Sequence, residues 1–179
     1  DGKVGQTLAA EHEKLGLKVL GWQDSWGYRN VITTKKEVKT PADLKGLKVG
    51  VTAPGSSTNM FVNNLLAKGG LKPTDISVVG VAASTRAVAA MEKGEIDAMS
   101  NLDPVITQLE ATGKYVAIAD SRTEKGMNEI YGGDYHASVI YITDEFIKKN
   151  PNTVQAVVNA MVRANRWIAK ATPQEIVDL

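Results

Sequence analysis

From Gly46 onward, hydrophobic runs of two lengths alternate along the chain. The short, nearly continuous apolar runs are LKVGVT, ISVVGVA, IDAMSN and YVAIAD, which are typical of strands buried on both faces. The longer runs are SSTNMFVNNLLAKGG, STRAVAAMEKGE and PVITQLEATG, which predict helices. Regular alternation of strands and helices with short loops predicts an α/β fold, with a mostly parallel sheet and helices on both faces.

The flanking segments predict further elements. Residues 3–15 predict a helix ending near Gly16, whereas LKVLGW and SWGYRNVITTKK predict extended strands. TPADLKG predicts a short helical turn with Thr40 as N-cap and Pro41 in the first position. Residues 121–136 are polar and contain glycine, so we expect a loop there.

The last forty residues begin with another predicted strand, ASVIYITDEF. NPNTVQAVVNAMVRANRWIAK follows and predicts a long amphipathic helix, with Val154, Val158 and Met161 on its apolar face. TPQE is a capping box with proline in the first helical position, which predicts that one more helix begins there.

Composition narrows the class of protein. The chain has 179 residues, 43% of them hydrophobic, which suits one globular domain or one domain with pieces of another. With 21 basic and 20 acidic residues and no basic run among aromatics, no nucleic-acid surface is predicted. The absence of cysteine excludes disulfides and thiolate metal sites. No apolar run approaches the roughly 20 residues of a membrane span, and DGKVGQ is not a signal-peptide pattern.

Candidate chemistry lies in the loops that follow three predicted strands. Ligands of open α/β sheets bind beyond the carboxyl ends of the strands, and parallel strands bring those ends to one edge. We therefore expect three loops to converge, namely APGSST, AAST with the arginine that follows it, and SNLDP. They contribute Gly55, Ser56, Ser57, Thr58, Ser84, Thr85, Arg86, Asn101 and Asp103, and we add Tyr135 from the loop at 121–136. This set is rich in hydrogen-bond donors and poor in bases, which indicates binding of a small anionic or polar solute.

Each candidate also has a structural interpretation. Ser56 or Ser57 serves equally well as a helix N-cap, and so does Ser84 or Thr85. Arg86 lies in a first turn, where the helix dipole disfavours a cation, which points to an anionic or polar partner. An exposed, solvated arginine is nevertheless the interpretation that we favour for it. Asp103 before a proline is a typical cap.

Enzyme motifs are absent. GVTAPGSS lacks the lysine of a phosphate loop, because Ser56 stands at that position, and GSSTN is not a nucleophile elbow. With two histidines, His12 and His136, and no cysteine, we predict no catalytic site, no metal site and no cofactor.

The stretch DLKGLKVGVTAPGSSTNMFVNNLLAKGGLKPTDISVVGV, followed by STRAVAAMEKGEIDAMSNLDP, ADSRT and GGDYHASVIY, resembles the substrate-binding proteins of ABC importers in the SsuA/TauA/NMT1-like group. The resemblance covers roughly residues 36–179. It implies a lobe of a type II periplasmic binding protein, whose ligand lies between two lobes joined by crossover strands. Family ligands include sulfonates, taurine, nitrate, bicarbonate and pyrimidine-like molecules. The motifs at Ser56–Thr58, Ser84–Thr85, Asn101 and Asp103 are then expected to face the cleft.

Two departures qualify the resemblance. The N-terminal segment is more similar to the TRAP-transporter binding proteins of the DctP type, in the stretches LGLKVLGW, GYRN and VKTPADLKGLKV. Those proteins carry an arginine soon after DLKGLK, whereas Gly50 or its neighbour stands at that position here. The chain also matches only part of a full member, which indicates a fragment or a chimera. We expect residues 1–39 to be a lobe-one remnant with a crossover strand, 40–136 the ligand-binding lobe, and 137–179 the return strand and C-terminal helices.

The resemblance implies that the chain, or its intact parent, delivers a sulfonate, nitrate or carboxylate to a membrane importer permease. It also implies a periplasmic or extracellular, lipid-anchored location. Two alternatives stay open: a truncated or engineered scaffold domain without a natural ligand, and a relative of the NMT1-like pyrimidine-synthesis enzymes. An exposed lobe interface would favour self-association.

Overall fold

The computed structural model describes residue 14 and residues 16–23, 30–34, 37–133 and 138–178. Two sheets organise this part of the chain. Contacts within the chain divide it into two units. One is Trp26–Gly133, and the other is Asp1–Ser25 together with Asp134–Leu179. The predicted helix at 3–15 lies outside the described residues apart from its residue 14.

The described elements follow the predicted order closely. The strands are β1 (Leu17–Gln23), β2 (Asn30–Thr33), β3 (Lys48–Val51), β4 (Ser77–Gly80), β5 (Ala98–Asn101), β6 (Val116–Ala119) and β7 (Ser138–Thr143). The helices are α1 (Ser57–Lys68), α2 (Thr85–Glu92), α3 (Val105–Ala111), α4 (Glu124–Tyr131), α5 (Asp144–Lys149), α6 (Pro151–Ile168) and α7 (Pro173–Val177). Short 3-10 turns span Pro41–Leu44, as predicted from TPADLKG, and Pro73–Asp75.

The unit Trp26–Gly133 contains a five-stranded sheet in the order β4-β3-β5-β2-β6. Strand β3 pairs in parallel with β4 and β5, whereas β2 pairs antiparallel with β5 and β6. Four strands therefore run in one direction and β2 alone runs against them. The α/β fold with a mostly parallel sheet is confirmed.

Two clusters of buried side chains cover opposite faces of this sheet, because neighbouring residues of a strand point to opposite sides. Val49, Val51 and Ala98 belong to the cluster with the apolar face of α1. Met99 belongs to the cluster formed with α2 and α3. Helices on both faces are thus confirmed, and they leave the carboxyl ends of β3, β4 and β5 at one edge.

Gly50 is required by close packing on the α2 side of the sheet. A Cβ atom at this position would lie 2.6 Å from Cδ1 of Ile96 and 3.3 Å from Cγ2 of Val81. The arginine that the TRAP-type resemblance places near here could not be accommodated at position 50, because even a methyl group would displace the side chains that fill this face.

The segment predicted as a loop at 121–136 contains helix α4, so that prediction was wrong. Thr123 caps the helix by accepting a hydrogen bond from the Gly126 amide at 3.0 Å. Gly126 discouraged a helical interpretation, since glycine is a weak helix former. Here the glycine is needed, because a Cβ atom would collide with the carbonyl oxygen of Asp120.

Tertiary contacts complete α4. Ile130 is buried in the α1 cluster. The carbonyl oxygens of Glu129 and Ile130 accept hydrogen bonds from Lys68 Nζ at 2.5 Å and Asn64 Nδ2 at 3.1 Å, both on α1. Carbonyl groups in the last turn of a helix have no hydrogen-bond partner within that helix. Side chains of α1 therefore satisfy the last carbonyl groups of α4.

The second unit contains the antiparallel pair β1–β7, with Leu17 opposite Thr143 and Gln23 opposite Ser138. The predicted strand at ASVIYITDEF ends earlier than expected, because Thr143 caps helix α5 by accepting from the Phe146 amide. Helices α6 and α7 begin as predicted, and the Thr172–Glu175 capping box is formed. The predicted division at residues 39/40 and 136/137 stays a prediction.

Within the described residues, no helix is both long and apolar enough to cross a membrane.

Candidate functional site

Direct hydrogen bonds join the loops that follow β3, β4 and β5. The Ala82 amide donates to the carbonyl oxygen of Thr52 at 3.1 Å. The carbonyl oxygen of Ala82 accepts from Asn101 Nδ2 at 2.8 Å. Residues 52–56, 81–84 and 102–104 therefore form one continuous surface, which we call the three-loop edge. The predicted convergence of the three loops is confirmed.

Three hydroxyl groups of the first loop are bonded to one another. Thr58 is 1% exposed, and its Oγ1 accepts from the Thr52 amide at 3.0 Å. The hydroxyls of Thr52, Ser56 and Thr58 lie 2.7–3.0 Å from one another. Ser56 is also the N-cap of α1, accepting from the Asn59 amide at 3.3 Å. The capping interpretation of Ser56 is correct, and Thr58 lies beneath the loop.

Two further residues of this loop lie on its outer side. Gly55 and Ser57 are exposed. The Gly55 amide donates to Asn59 Oδ1 at 2.8 Å, which fixes the loop against the first turn of α1. Of the four small residues predicted here to contact a ligand, Gly55 and Ser57 are therefore the two that face solvent.

The second loop is organised differently. Ser84 precedes α2 with extended backbone angles, and its side chain makes no capping hydrogen bond. The turn is closed instead by the main chain, where the Ala87 amide donates to the Ser84 carbonyl at 2.9 Å. The amides of Thr85 and Arg86 precede the first intrahelical bonds. Ser84, Thr85 and Arg86 are all exposed, so hydroxyls, amides and a guanidinium share one surface.

Asn101 lies beneath the three-loop edge and bonds to two of its residues. It is fully buried, and its Oδ1 accepts from the Leu102 amide at 2.8 Å while its Nδ2 donates to Ala82. Both ends of the side-chain amide are therefore used within the protein.

Asp103 supports helix α3. Its Oδ1 accepts from the amide and the hydroxyl of Thr107, at 3.0 and 2.6 Å. Its Oδ2 lies 3.8 Å from Nη1 of Arg122. Asp103 thus bonds to the first turn of α3, but the N-cap of that helix is Pro104, so the predicted pair of Asp103 as N-cap and Pro104 in the first helical position is shifted by one residue.

Arg122 joins three acidic side chains beside the third loop. Its guanidinium makes two parallel hydrogen bonds to Glu110, at 2.9 and 3.1 Å, and further bonds to Asp120 at 3.0–3.3 Å. The hydrogen bonds to Asp120, followed by those to Glu110, raise the pKa of Arg122 despite partial burial, so it remains charged at every accessible pH.

Sequence reasoning found the three loops but missed the residues that connect them. Thr52, Ala82 and Arg122 were not among the candidates. Thr52 carried a weak signal, since it ends the predicted strand LKVGVT. Tyr135, predicted to contact a ligand, and His136, one of the two histidines of the chain, lie outside the described residues. Among the described residues, no cluster of three or more His, Cys, Asp or Glu side chains could hold a metal ion.

The five-stranded sheet is mostly parallel, helices cover both of its faces, and polar loops follow the carboxyl ends of its parallel strands. This arrangement is that of a lobe of the type II periplasmic binding proteins. The periplasmic aliphatic sulphonate binding protein SsuA of Escherichia coli has this fold. It is 25% identical and superposes with a TM-score of 0.64, over 89% of this chain and 51% of that one.

The chain belongs to the NMT1-like family, whose model matches residues 4–178. A solved protein of Bordetella bronchiseptica RB50 is 46% identical, with a TM-score of 0.82 over 97% of this chain and 55% of that one. The nitrate/nitrite binding protein NrtA of Nostoc sp. (strain PCC 7120) is 29% identical over 140 residues, which is 77% of this chain and 30% of that protein. The chain thus spans about half the length of the solved relatives and less of NrtA. The TRAP-type N-terminus and the chimera stay predictions.

Proposed function

We propose that this chain is the ligand-facing part of a solute-binding protein that captures a small anion or polar solute, such as a sulfonate, nitrate or carboxylate. The intact protein hands its solute to a membrane importer permease, from the periplasm or from a lipid anchor outside the cell. The proposal is supported by the binding proteins among its relatives, NrtA and SsuA.

The observation that carries the proposal is the open first turn of α2. Amides at a helix N-terminus attract anions through unpaired N–H groups and the helix dipole. Here those amides lie beside the hydroxyls of Ser84 and Thr85 and the charge of Arg86, none of them buried. The loop is bonded to two other polar loops, so the donors are held in place before a ligand arrives.

We divide the predicted ligand residues into two groups by their surroundings. Gly55, Ser57, Ser84, Thr85 and Arg86 are exposed and are proposed to contact the solute. Ser56, Thr58, Asn101 and Asp103 use their side chains within the protein, and we propose that they position the first group. Contact by Tyr135 stays a prediction.

Binding is favoured over catalysis by the chemistry of the edge. Exposed hydroxyls, backbone amides and a guanidinium supply donors. The carboxylate of Asp103 is engaged with Thr107 and lies near Arg122, which leaves it poorly placed to act as a general base.

Calorimetric titration with sodium nitrate and sodium ethanesulfonate tests the proposal, with acetamide as the neutral control. Arg86→Gln is expected to weaken binding of either anion by at least about tenfold, since a charge-assisted hydrogen bond is lost. Lys93→Gln, which removes an exposed charge at the other end of α2, should change affinity by less than about twofold. Absence of saturable binding by the wild-type chain, or equal losses in the two variants, would contradict the proposal.

A further inference from the structure

Ala82, in the middle of the three-loop edge, has an unusual backbone conformation. Its φ is 58°, and within the described residues it is the one non-glycine residue with a positive φ. The left-handed region is unfavourable for a residue with a Cβ atom, and turns that need it normally use glycine or asparagine. The side chain of Ala82 is exposed, so packing of its methyl group does not explain the conformation.

Hydrogen bonds on both sides hold Ala82 in this state. Its amide donates to the Thr52 carbonyl at 3.1 Å, and its carbonyl accepts from Asn101 Nδ2 at 2.8 Å. Asn101 is 0% exposed, and its other end accepts from Leu102. A buried amide that loses its partners is strongly disfavoured, so Asn101 favours the backbone arrangement in which the Ala82 carbonyl accepts from Nδ2.

This conformation lies directly before the open helix. Two residues separate Ala82 from Thr85, where α2 begins. The direction of the main chain at Ala82 therefore influences where the hydroxyls of Ser84 and Thr85 and the amides of Thr85 and Arg86 point. Strained backbone held by its surroundings is a recurrent feature of ligand sites.

We propose that Asn101 is a positioning residue, which holds Ala82 in the left-handed conformation and thereby orients the first turn of α2 toward the bound anion. The inference rests on the proposed function. It assigns to Asn101 an indirect role in place of direct ligand contact, and to Ala82 a role that its small apolar side chain does not suggest.

Amide hydrogen exchange tests, without a ligand, whether Asn101 holds Ala82 in the left-handed conformation, an interaction that we call the brace. Asn101→Leu keeps the size of the side chain, adds no charge and removes the side-chain hydrogen bonds to Ala82, Leu102 and Met99. The Ala82 amide is expected to lose at least about tenfold of its protection, as for one lost hydrogen bond to a buried group. Asn64→Leu is the matched control, because Asn64 also donates to a backbone carbonyl in the same unit, that of Ile130. Unchanged protection at Ala82 in N101L, or equal loss in N64L, would overturn the brace.

Variants of Ala82 itself test the link to binding and do not depend on the folding of N101L. Valine is poorly tolerated in the left-handed region, whereas glycine adopts it freely. Affinity for nitrate and ethanesulfonate is expected to fall at least about fivefold in Ala82→Val and to stay within about twofold in Ala82→Gly. Ala67→Val is the control, because Ala67 is exposed near the C-terminal end of α1, away from the three-loop edge. Equal affinities in A82V and A67V would overturn the inference.

A final comparison separates the two proposals. If the wild-type chain binds neither anion, the proposed function fails and the orienting role fails with it. If the wild-type chain binds and A82G restores affinity to N101L in a double variant, the brace is supported. If the wild-type chain binds and the effects of A82G and N101L are simply additive, the brace alone is overturned, because independent sites add and coupled ones do not.

Discussion

The first turns of α1 and α2 begin at the same edge of the same sheet, yet they use their polar groups in opposite ways. At α1, Ser56 caps the helix and shares a network with Thr52 and Thr58. At α2, the hydroxyl of Ser84 makes no capping bond, and the exposed side chains of Thr85 and Arg86 follow. Similar serine- and threonine-rich sequences thus give one closed and one open helix start.

This difference shows what a polar loop contributes to a binding site. Hydroxyls that are bonded to one another set the shape of a loop, whereas groups that face solvent are available to a solute. The closed network at α1 fixes the conformation of the first loop. The open turn at α2 offers exposed donors and is joined to the closed loop through the Ala82 amide.

The largest expected effect extends the comparison to the third loop, where Arg122 joins Asp103, Glu110 and Asp120. Arg122→Gln should lower the free energy of unfolding by about 2 kcal/mol, because partly buried carboxylates lose a charged partner. Urea denaturation measures this change in the free energy of unfolding. Lys125→Gln removes an exposed pair with Glu129 and should cost less than about 0.5 kcal/mol. Equal losses in the two variants would show that the third loop is not held by Arg122.

A loss of similar size is expected in the closed network at α1. Thr58→Val keeps the shape of a buried side chain but removes the acceptor of the Thr52 amide. The expected cost is about 1–2 kcal/mol, because a buried donor is left unpaired. Thermal and urea unfolding would report it. A variant as stable as the wild-type chain would show that the hydroxyl network does not stabilise the first loop.

The smallest effects give the sharpest contrast between the two helix starts. Ser56→Ala should cost about 1 kcal/mol, the usual value of a lost N-cap. Ser84→Ala should change stability by less than about 0.5 kcal/mol, as for an ordinary surface substitution, and should weaken anion binding instead. If the two serines proved interchangeable in stability and in affinity, the distinction between a closed and an open turn would be wrong.

Much of the fold could be predicted because strand and helix patterns alternate regularly between Gly46 and residue 120. Helix α4 could not, since Gly126 discourages a helix and the groups that complete it, Asn64 and Lys68, lie on α1. The antiparallel placement of β2 between β5 and β6 depends on pairing across more than sixty residues, as Val31 opposite Ser100 shows.

The site was predicted at the level of loops rather than of individual side chains. The positions of APGSST, AAST and SNLDP after strands were enough to predict convergence. Whether a hydroxyl or amide faces inward depends on tertiary hydrogen bonds. Thr58 and Asn101 therefore resembled ligand donors in sequence although they are buried. Ala82 offered no side-chain signal at all, because its contribution comes from its backbone.

An amide chemical-shift titration with sodium nitrate, at constant ionic strength, tests the central claim most directly. The account predicts saturable shifts that are largest at the amides of Thr85 and Arg86 and smaller at those of Ser57 and Thr58. Arg86→Gln should reduce all of them together. Shifts that do not saturate, or that are largest in the first turn of α1, would contradict the claim that the open start of α2 holds the anion.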